Sequence, residues 1–237
     1  MVILLFVVVR KLQFYNDNFY HIFNRGVRKS DIYINNRDYQ RWEQLLYWCN
    51  NYDYSYGHYL FRLNQTIKNG SSIEQLNEIL SKSKLIHPLV QIHAYVEMPN
   101  HFHLLLRQVQ DRGIPKFMQK IATAYSMYFN LQKNFTGSVY EGNYKAVTIS
   151  SEPQLLQVFR YIHLNPSEAG LISKNKLPDY QWSSLPIYIS NKNDKIVTTD
   201  FFSGKFKDSK SIYNFIISSN DDSEAENISS LMLDIGR

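Results

Sequence analysis

The chain has 237 residues, of which 44% are hydrophobic and 20% are charged, and this composition argues against a disordered or fibrous protein. Residues 208–237 hold six acidic and two basic side chains, so that segment carries a net charge of −4 and the rest carries +9. A basic body fits a polyanionic partner such as nucleic acid. A single cysteine, Cys49, excludes an intrachain disulfide and is compatible with a reducing, cytoplasmic setting.

The N-terminal part is predicted to contain an apolar extension, a strand and a helix. Residues 1–18 form the extension, and within it the apolar run Val2–Val9 is too short to span a bilayer as a helix. We interpret this run as an additional edge strand or as the result of a start codon placed too far upstream. The alternating segment Phe19–Asn24 predicts a strand, and apolar residues at helical spacing predict an amphipathic helix over Asp38–Asn50.

Residues 52–90 are interpreted as an insertion that precedes a β-hairpin. Within the insertion, Tyr54–Leu63 predicts a strand or hairpin arm, and Ile73–Ser83 predicts a short helix. Val90–Glu97 and His101–Gln108 predict the two strands of the hairpin, because a turn-forming Pro-Asn pair interrupts the apolar pattern between them.

The remaining elements are two helices and an extended segment. Helical spacing covers Ile114–Leu131, Gly137–Ile149 is predicted to be extended, and a second helix covers Gln154–Leu164. We expect Asn165-Pro166 to terminate that helix. Residues 19–185 would form the main domain and residues 186–237 a C-terminal extension with an acidic, mobile tail. Without a parallel βαβ pattern, the predicted class is α+β, with an antiparallel sheet and helices packed on one face.

Two short motifs carry the candidate chemistry. His101 and His103 begin a predicted strand and point to the same face of it, so two imidazoles can be directed at one metal ion. Tyr161 lies on the second predicted helix, and Asn165 shares its face one turn later. Taken singly, such histidines are more often surface or core residues, and such a tyrosine is more often a packed helix residue. It is their combination that points to a nuclease using tyrosine.

These motifs resemble a known family. The matching segments are Tyr20–Gly26, His93–Leu105 and Arg160–Pro166, with weaker matches at 169–171 and 180–184. In this order they resemble the single-tyrosine HUH transposases of the IS200-like family, specifically the REP-associated tyrosine transposases, over roughly residues 19–185. The resemblance implies a ferredoxin-like sheet that carries both histidines on a central strand, and a helix that brings the tyrosine to them. Known members cut single-stranded DNA, usually near an imperfect hairpin, and rejoin it.

The resemblance also assigns roles to the residues. Tyr161 would be the nucleophile that forms a 5′-phosphotyrosine, and His101 and His103 would hold Mg²⁺ or Mn²⁺. Independently of the resemblance, the helix face that Asn165 shares with Tyr161 makes its side-chain carbonyl a candidate third metal ligand. An Asn before a Pro also commonly closes a helix, and both interpretations stay open. Rival tyrosines are Tyr125 and Tyr128, which fit the core stripe of a helix, and Tyr140 and Tyr144, which fit a sheet face.

The expected partner is single-stranded DNA with hairpin ends, bound by a monomer or a homodimer. Basic residues would contact its phosphates, and binding would then depend strongly on salt. The candidates are Arg25, Arg28, Lys29, Lys116, Lys120 and Lys145. For the three residues near Gly26, a solvated turn is an equally good interpretation.

Two other functions use the same sequence features. One is a domesticated module that binds DNA or RNA without catalysis, and it would have no need of the combined His101, His103 and Tyr161 set. The other is an HUH nickase of the replication-initiator or relaxase type. Such nickases usually carry further domains, such as a helicase, for which this chain is too short.

Overall fold

The computed structural model of the chain describes residues 12–69, 74–190 and 194–218. At its centre is a four-stranded antiparallel sheet in the order β2-β3-β1-β4. The strands are β1 (Phe19–Arg25), β2 (Val90–Met98), β3 (His101–Gln108) and β4 (Lys145–Ile149). The predicted α+β class and antiparallel sheet are therefore confirmed, and both β1 and the histidine strand β3 lie at its centre.

The helices are distributed along the whole described chain. They are α1 (Asn36–Asn51), α2 (Tyr56–Lys68), α3 (Glu74–Ser83), α4 (Gly113–Lys133), α5 (Glu152–Glu168), α6 (Leu185–Ser190), α7 (Asp200–Ser203) and α8 (Ser209–Ile217), with 3-10 turns at Val27–Lys29 and Lys174–Asp179. Among the described residues, no helix has the length and apolarity needed to cross a membrane.

Helices pack on both faces of the sheet. On one face, Trp42 of α1 packs against Phe102 of β3 at 4.7 Å between ring centroids and against Tyr125 of α4 at 5.2 Å. On the other face, Tyr161 of α5 lies 5.4 Å from His103. Helices α1 and α4 share one face of the sheet, as predicted. Helix α5 packs on the opposite face, which the prediction of one-sided packing did not include. The second layer is needed because β2 is buried along nearly its whole length, so both of its faces require cover.

The predicted strand or hairpin arm at Tyr54–Leu63 is wrong, since this segment belongs to helix α2. The helix begins after Ser55, whose side chain accepts a hydrogen bond from the backbone N–H of His58. Its aromatic residues follow helical spacing, and Tyr56 and Tyr59 both pack on Trp48, at 4.9 and 4.8 Å. Contacts with α1 therefore select the helix in a run whose aromatic content also suits a strand.

The predicted end of α5 at Asn165-Pro166 is also wrong, because the helix continues to Glu168. A proline has no N–H to donate, so it removes one bond to the preceding turn, but its fixed φ is compatible with the helix. The N–H of Ala169 still donates to the carbonyl of Asn165 and closes the last turn. Asn165 is thus a helix-interior residue, and the interpretation that it terminates the helix is excluded.

The other predicted elements are confirmed within a few residues, except that the extended segment 137–149 forms a regular strand only at β4. Predictions for Val2–Val9 and for the second half of the acidic tail lie outside the described residues. The domain boundaries stay a prediction.

Residues after Trp182 cover the outer edge of β2. The N–H of Glu97 donates to the carbonyl of Trp182, and the N–H of Thr198 donates to the carbonyl of Ile92. Val197 also forms a parallel bridge with Ile92. Backbone groups near both ends of this edge strand are therefore hydrogen-bonded to the chain that follows it.

Candidate active site

The sheet and α5 bring His101, His103 and Tyr161 into one cluster. The rings of His101 and His103 are 5.2 Å apart, and His103 and Tyr161 are 5.4 Å apart. The strand supplies both imidazoles because residues two apart share a face. Asn165 follows Tyr161 by one helical turn, and its side chain reaches both the Tyr161 hydroxyl and the His101 ring.

Each of the two ring nitrogens of His101 faces an amide oxygen. Its Nδ1 is 2.6 Å from Oδ1 of Asn100, whereas its Nε2 is 3.3 Å from Oδ1 of Asn165. A neutral imidazole has a single N–H to donate. If the shorter contact takes this proton, a lone pair on Nε2 faces a lone pair on the Asn165 oxygen. Two electron-rich atoms placed in this way suit a shared cation.

His103 presents a similar nitrogen. Its Nδ1 is 2.9 Å from Nε2 of His21, and its own Nε2 is buried without a hydrogen-bond partner among the described residues. Leaving a buried polar atom unpaired costs about 1–3 kcal/mol. Burial lowers the pKa of His103 well below its usual value, and the neighbouring His21 and His101 rings lower it further. A neutral ring keeps the lone pair that metal binding requires.

These nitrogens fit a metal site built from two imidazoles and one amide. Over the described ranges, no group of three His, Cys, Asp or Glu side chains is arranged to hold a metal. The oxygen of Asn165 is accordingly the third candidate ligand, beside Nε2 of His101 and Nε2 of His103. Burial also lowers the pKa of His101, and the nearby Asn165 oxygen, which would accept a proton from Nε2 of the charged ring, partly offsets this shift.

Tyr161 is held as a buried, protonated phenol. Only 7% of its surface is exposed, and its ring lies 5.9 Å from that of His21. Burial raises the pKa of Tyr161 to about 12, although the hydrogen bond with Asn165 acts in the opposite direction. At neutral pH this hydroxyl keeps its proton, so a nucleophilic role requires help in removing it.

A basic cleft opens beside the histidines. Its polar and charged lining residues include Arg25, Lys29, Asn100, His101, His103, Glu141 and Lys145. Arg25 forms an ion pair with Glu141 at the rim. Cationic side chains thus face the cluster from β1, from the turn after it and from β4.

The six predicted DNA contacts divide into two groups. Arg25, Lys29 and Lys145 line the cleft, and Arg28 lies on the adjoining 3-10 turn. Lys116 and Lys120 lie instead on α4, which covers the opposite face of the sheet. The Lys120 ammonium donates to the carbonyl of Tyr52, a contact between α4 and the C-terminal end of α1. The structure therefore does not bring the two α4 lysines to the cluster.

The rival tyrosines have other partners. The Tyr125 hydroxyl donates to the carbonyl of Ile32, and the Tyr128 hydroxyl lies 3.0 Å from a carboxylate oxygen of Asp38. Tyr140 is buried near Trp42 on the α1 side, and Tyr144 lines a separate groove beside α4. Of the tyrosines considered, Tyr161 is the one whose ring lies against His103.

Sequence reasoning gave no role to His21, although it lies in the matching segment Tyr20–Gly26. Its strand position was readable, but its partner depends on how β1 pairs with β3. In that pairing Phe23 is opposite His103 and His21 is opposite Leu105, which places both β1 side chains on the histidine face.

Comparison with known proteins supports the same region. Residues 56–165 match the family model described as "Transposase IS200 like", and this segment contains both histidines, Tyr161 and Asn165. A solved structure of a REP-associated tyrosine transposase bound to a REP hairpin is 12% identical, with a TM-score of 0.48, over 84% of this chain and 94% of that one. No curated protein matches the chain. Residues 56–165, a little under half of the chain, are thus similar to the IS200-like transposases.

Proposed function

We propose that this chain cleaves and rejoins single-stranded DNA through a covalent 5′-phosphotyrosine at Tyr161, like the REP-associated tyrosine transposases it resembles. The observation that carries the proposal is the placement of Tyr161 against His103, whose ring also contacts His101, beside a basic cleft. A module that only bound nucleic acid would not require these three side chains to converge on one face of the sheet.

Three side-chain atoms would hold the divalent metal. They are Nε2 of His101, Nε2 of His103 and Oδ1 of Asn165, and the ion would be Mg²⁺ or Mn²⁺. When bound, such an ion supplies Lewis acidity at the scissile phosphate. Its presence would also pair the two nitrogens that lack a proton donor in this arrangement.

The remaining steps belong to the protein's own groups. The Tyr161 oxygen attacks phosphorus, the bond to the 3′ oxygen breaks, and the hydroxyl proton is given up as the 3′ oxygen gains one. Asn165 orients the phenol from one turn away. Arg25, Lys29 and Lys145 neutralise phosphates along the cleft. Because the phosphoester bond is preserved on tyrosine, a 3′ hydroxyl can attack it and reseal the strand.

The test is a covalent-adduct assay. Purified protein is mixed with Mn²⁺ or Mg²⁺ and a labelled single-stranded hairpin oligonucleotide from the flanks of its own gene, and the products are separated on a denaturing gel. Wild type should form a metal-dependent adduct, and Y161F and the H101A/H103A double variant should form none. Y128F is the matched control, because Tyr128 lies on the opposite face, and it should react like wild type.

Each other outcome selects a different reading. An adduct that persists in Y161F would move the nucleophile to another tyrosine. Equal, tight DNA binding by all variants without any adduct would favour the non-catalytic module. Metal-dependent cleavage without rejoining would favour a nickase of the replication-initiator or relaxase type.

A further inference from the structure

A buried histidine pair lies behind the proposed metal site. We propose that His21 is a positioning residue whose Nε2 accepts the Nδ1 proton of His103 and thereby turns the Nε2 lone pair of His103 toward the ligand position. This inference rests on the proposed function, since it assigns a task to His21 only if His103 binds a metal.

The geometry of the pair is that of a fixed hydrogen bond. Nε2 of His21 and Nδ1 of His103 are 2.9 Å apart, and the two rings are stacked at 5.0 Å with 23° between their planes. Each residue exposes only 1% of its surface. Water therefore does not compete for the bond, and its direction is set by which ring carries the proton at the shared contact.

The proton must belong to His103 for the site to work. A neutral imidazole has one N–H, so donation from Nδ1 leaves a lone pair on Nε2. That Nε2 is the atom without a hydrogen-bond partner among the described residues. The opposite arrangement, in which His21 donates, would place the proton of His103 on Nε2 and block it as a ligand.

His21 and Asn100 then have the same role: each accepts the Nδ1 proton of one proposed ligand histidine. Oδ1 of Asn100 lies 2.6 Å from Nδ1 of His101, and Nε2 of His21 lies 2.9 Å from Nδ1 of His103. A group that fixes the tautomer of a metal-binding histidine typically changes metal affinity by about 10–100-fold. We expect a loss of this size when the acceptor at residue 21 is removed.

Two measurements test the assignment. The first is Mn²⁺ affinity, measured by titrating the protein with the metal alone and following free Mn²⁺ by electron paramagnetic resonance. H21L removes the acceptor, H21N retains a polar side chain that is too short to reach His103, and H21Q places an amide oxygen near the lost Nε2. H93L is the matched control, because His93 is equally buried on β2 but bonds to the carbonyl of Thr198.

The second measurement is the tautomer of His103 in the metal-free protein, read from long-range ¹H–¹⁵N correlation spectra. The His103 signals are identified by their loss in H103A. This readout does not depend on metal binding or on activity, so it tests the direction of the His21–His103 hydrogen bond by itself.

The inference predicts a proton on Nδ1 of His103 in wild type. It also predicts Mn²⁺ binding that is weaker by about 10–100-fold in H21L and H21N, close to wild type in H21Q, and unchanged in H93L. A proton on Nε2 of His103, or wild-type Mn²⁺ affinity in both H21L and H21N, would overturn it. If wild type itself bound no Mn²⁺ and formed no adduct, the proposed function would fail and the role of His21 with it. Adduct formation by a wild type that carries its proton on Nε2 of His103 would overturn the role of His21 alone.

Discussion

Glu97 has a buried carboxyl group, and its effect on stability can be tested by substitution. It lies on β2 opposite Phe102, is fully buried, and has no hydrogen-bond partner for either carboxylate oxygen among the described residues. Burial raises the pKa of Glu97 well above its usual value, and the charge of Glu43 raises it further. We predict that E97Q, which keeps the shape and removes the ionisation, stabilises the protein at neutral pH.

The direction and the upper limit of this stability difference follow from the protons bound by the folded and unfolded states. In the unfolded chain Glu97 loses its proton near a pKa of about 4.3, whereas in the folded chain it holds the proton to higher pH. Below that pKa both states are protonated and Glu97 adds no penalty. Above it, the wild-type free energy of unfolding falls by up to about 1.4 kcal/mol per pH unit until the folded pKa is reached. At about pH 7 the accumulated penalty is at most about 3.7 kcal/mol.

The assay is urea unfolding of wild type and E97Q across a range from acidic to neutral pH. The advantage of E97Q should be smallest near the unfolded pKa and should grow as the pH rises. E78Q is the control, because Glu78 is exposed on α3, and it should change stability by less than about 0.5 kcal/mol. A difference between wild type and E97Q that stays constant with pH would refute the reasoning.

Three further predictions concern charge and packing. K145A should weaken DNA binding and reduce the slope of log affinity against log salt by about one; an unchanged slope in fluorescence anisotropy would remove Lys145 from the interface. D38A should lower the free energy of unfolding by about 3 kcal/mol in urea, because buried Asp38 is paired with Lys133 at 3.3 Å; a loss below about 1 kcal/mol would contradict this. G113A should lower the melting temperature, since a Cβ there would lie 2.2 Å from the carbonyl oxygen of Leu89; an unchanged value would show that the start of α4 shifts freely.

Features that depend on neighbouring residues could be predicted from the sequence. The strand His101–Gln108 has its predicted bounds because an apolar stretch follows a clear turn. The shared face of Tyr161 and Asn165 follows from helical spacing alone. Helix α2 was missed because its aromatic residues suit either a strand or a helix, and packing on Trp48 decides between them.

Features that depend on distant pairing could not be predicted. His21 meets His103 across 82 residues, and only the register between β1 and β3 brings them together. For Lys116 and Lys120, sequence gives a charge but not the face on which it lies, and their role as DNA contacts stays a prediction. The structure places both on α4, behind the sheet as seen from the cleft.

The covered edge of β2 has a consequence for solubility. An uncovered edge strand presents a row of unpaired N–H and C=O groups that another molecule can join. Val197 and Thr198 occupy such groups beside Ile92, near the start of β2. A chain cut after residue 185 would lose both of these residues while keeping Tyr161 and the two histidines. We would therefore expect such a shortened chain to self-associate through the open edge of β2.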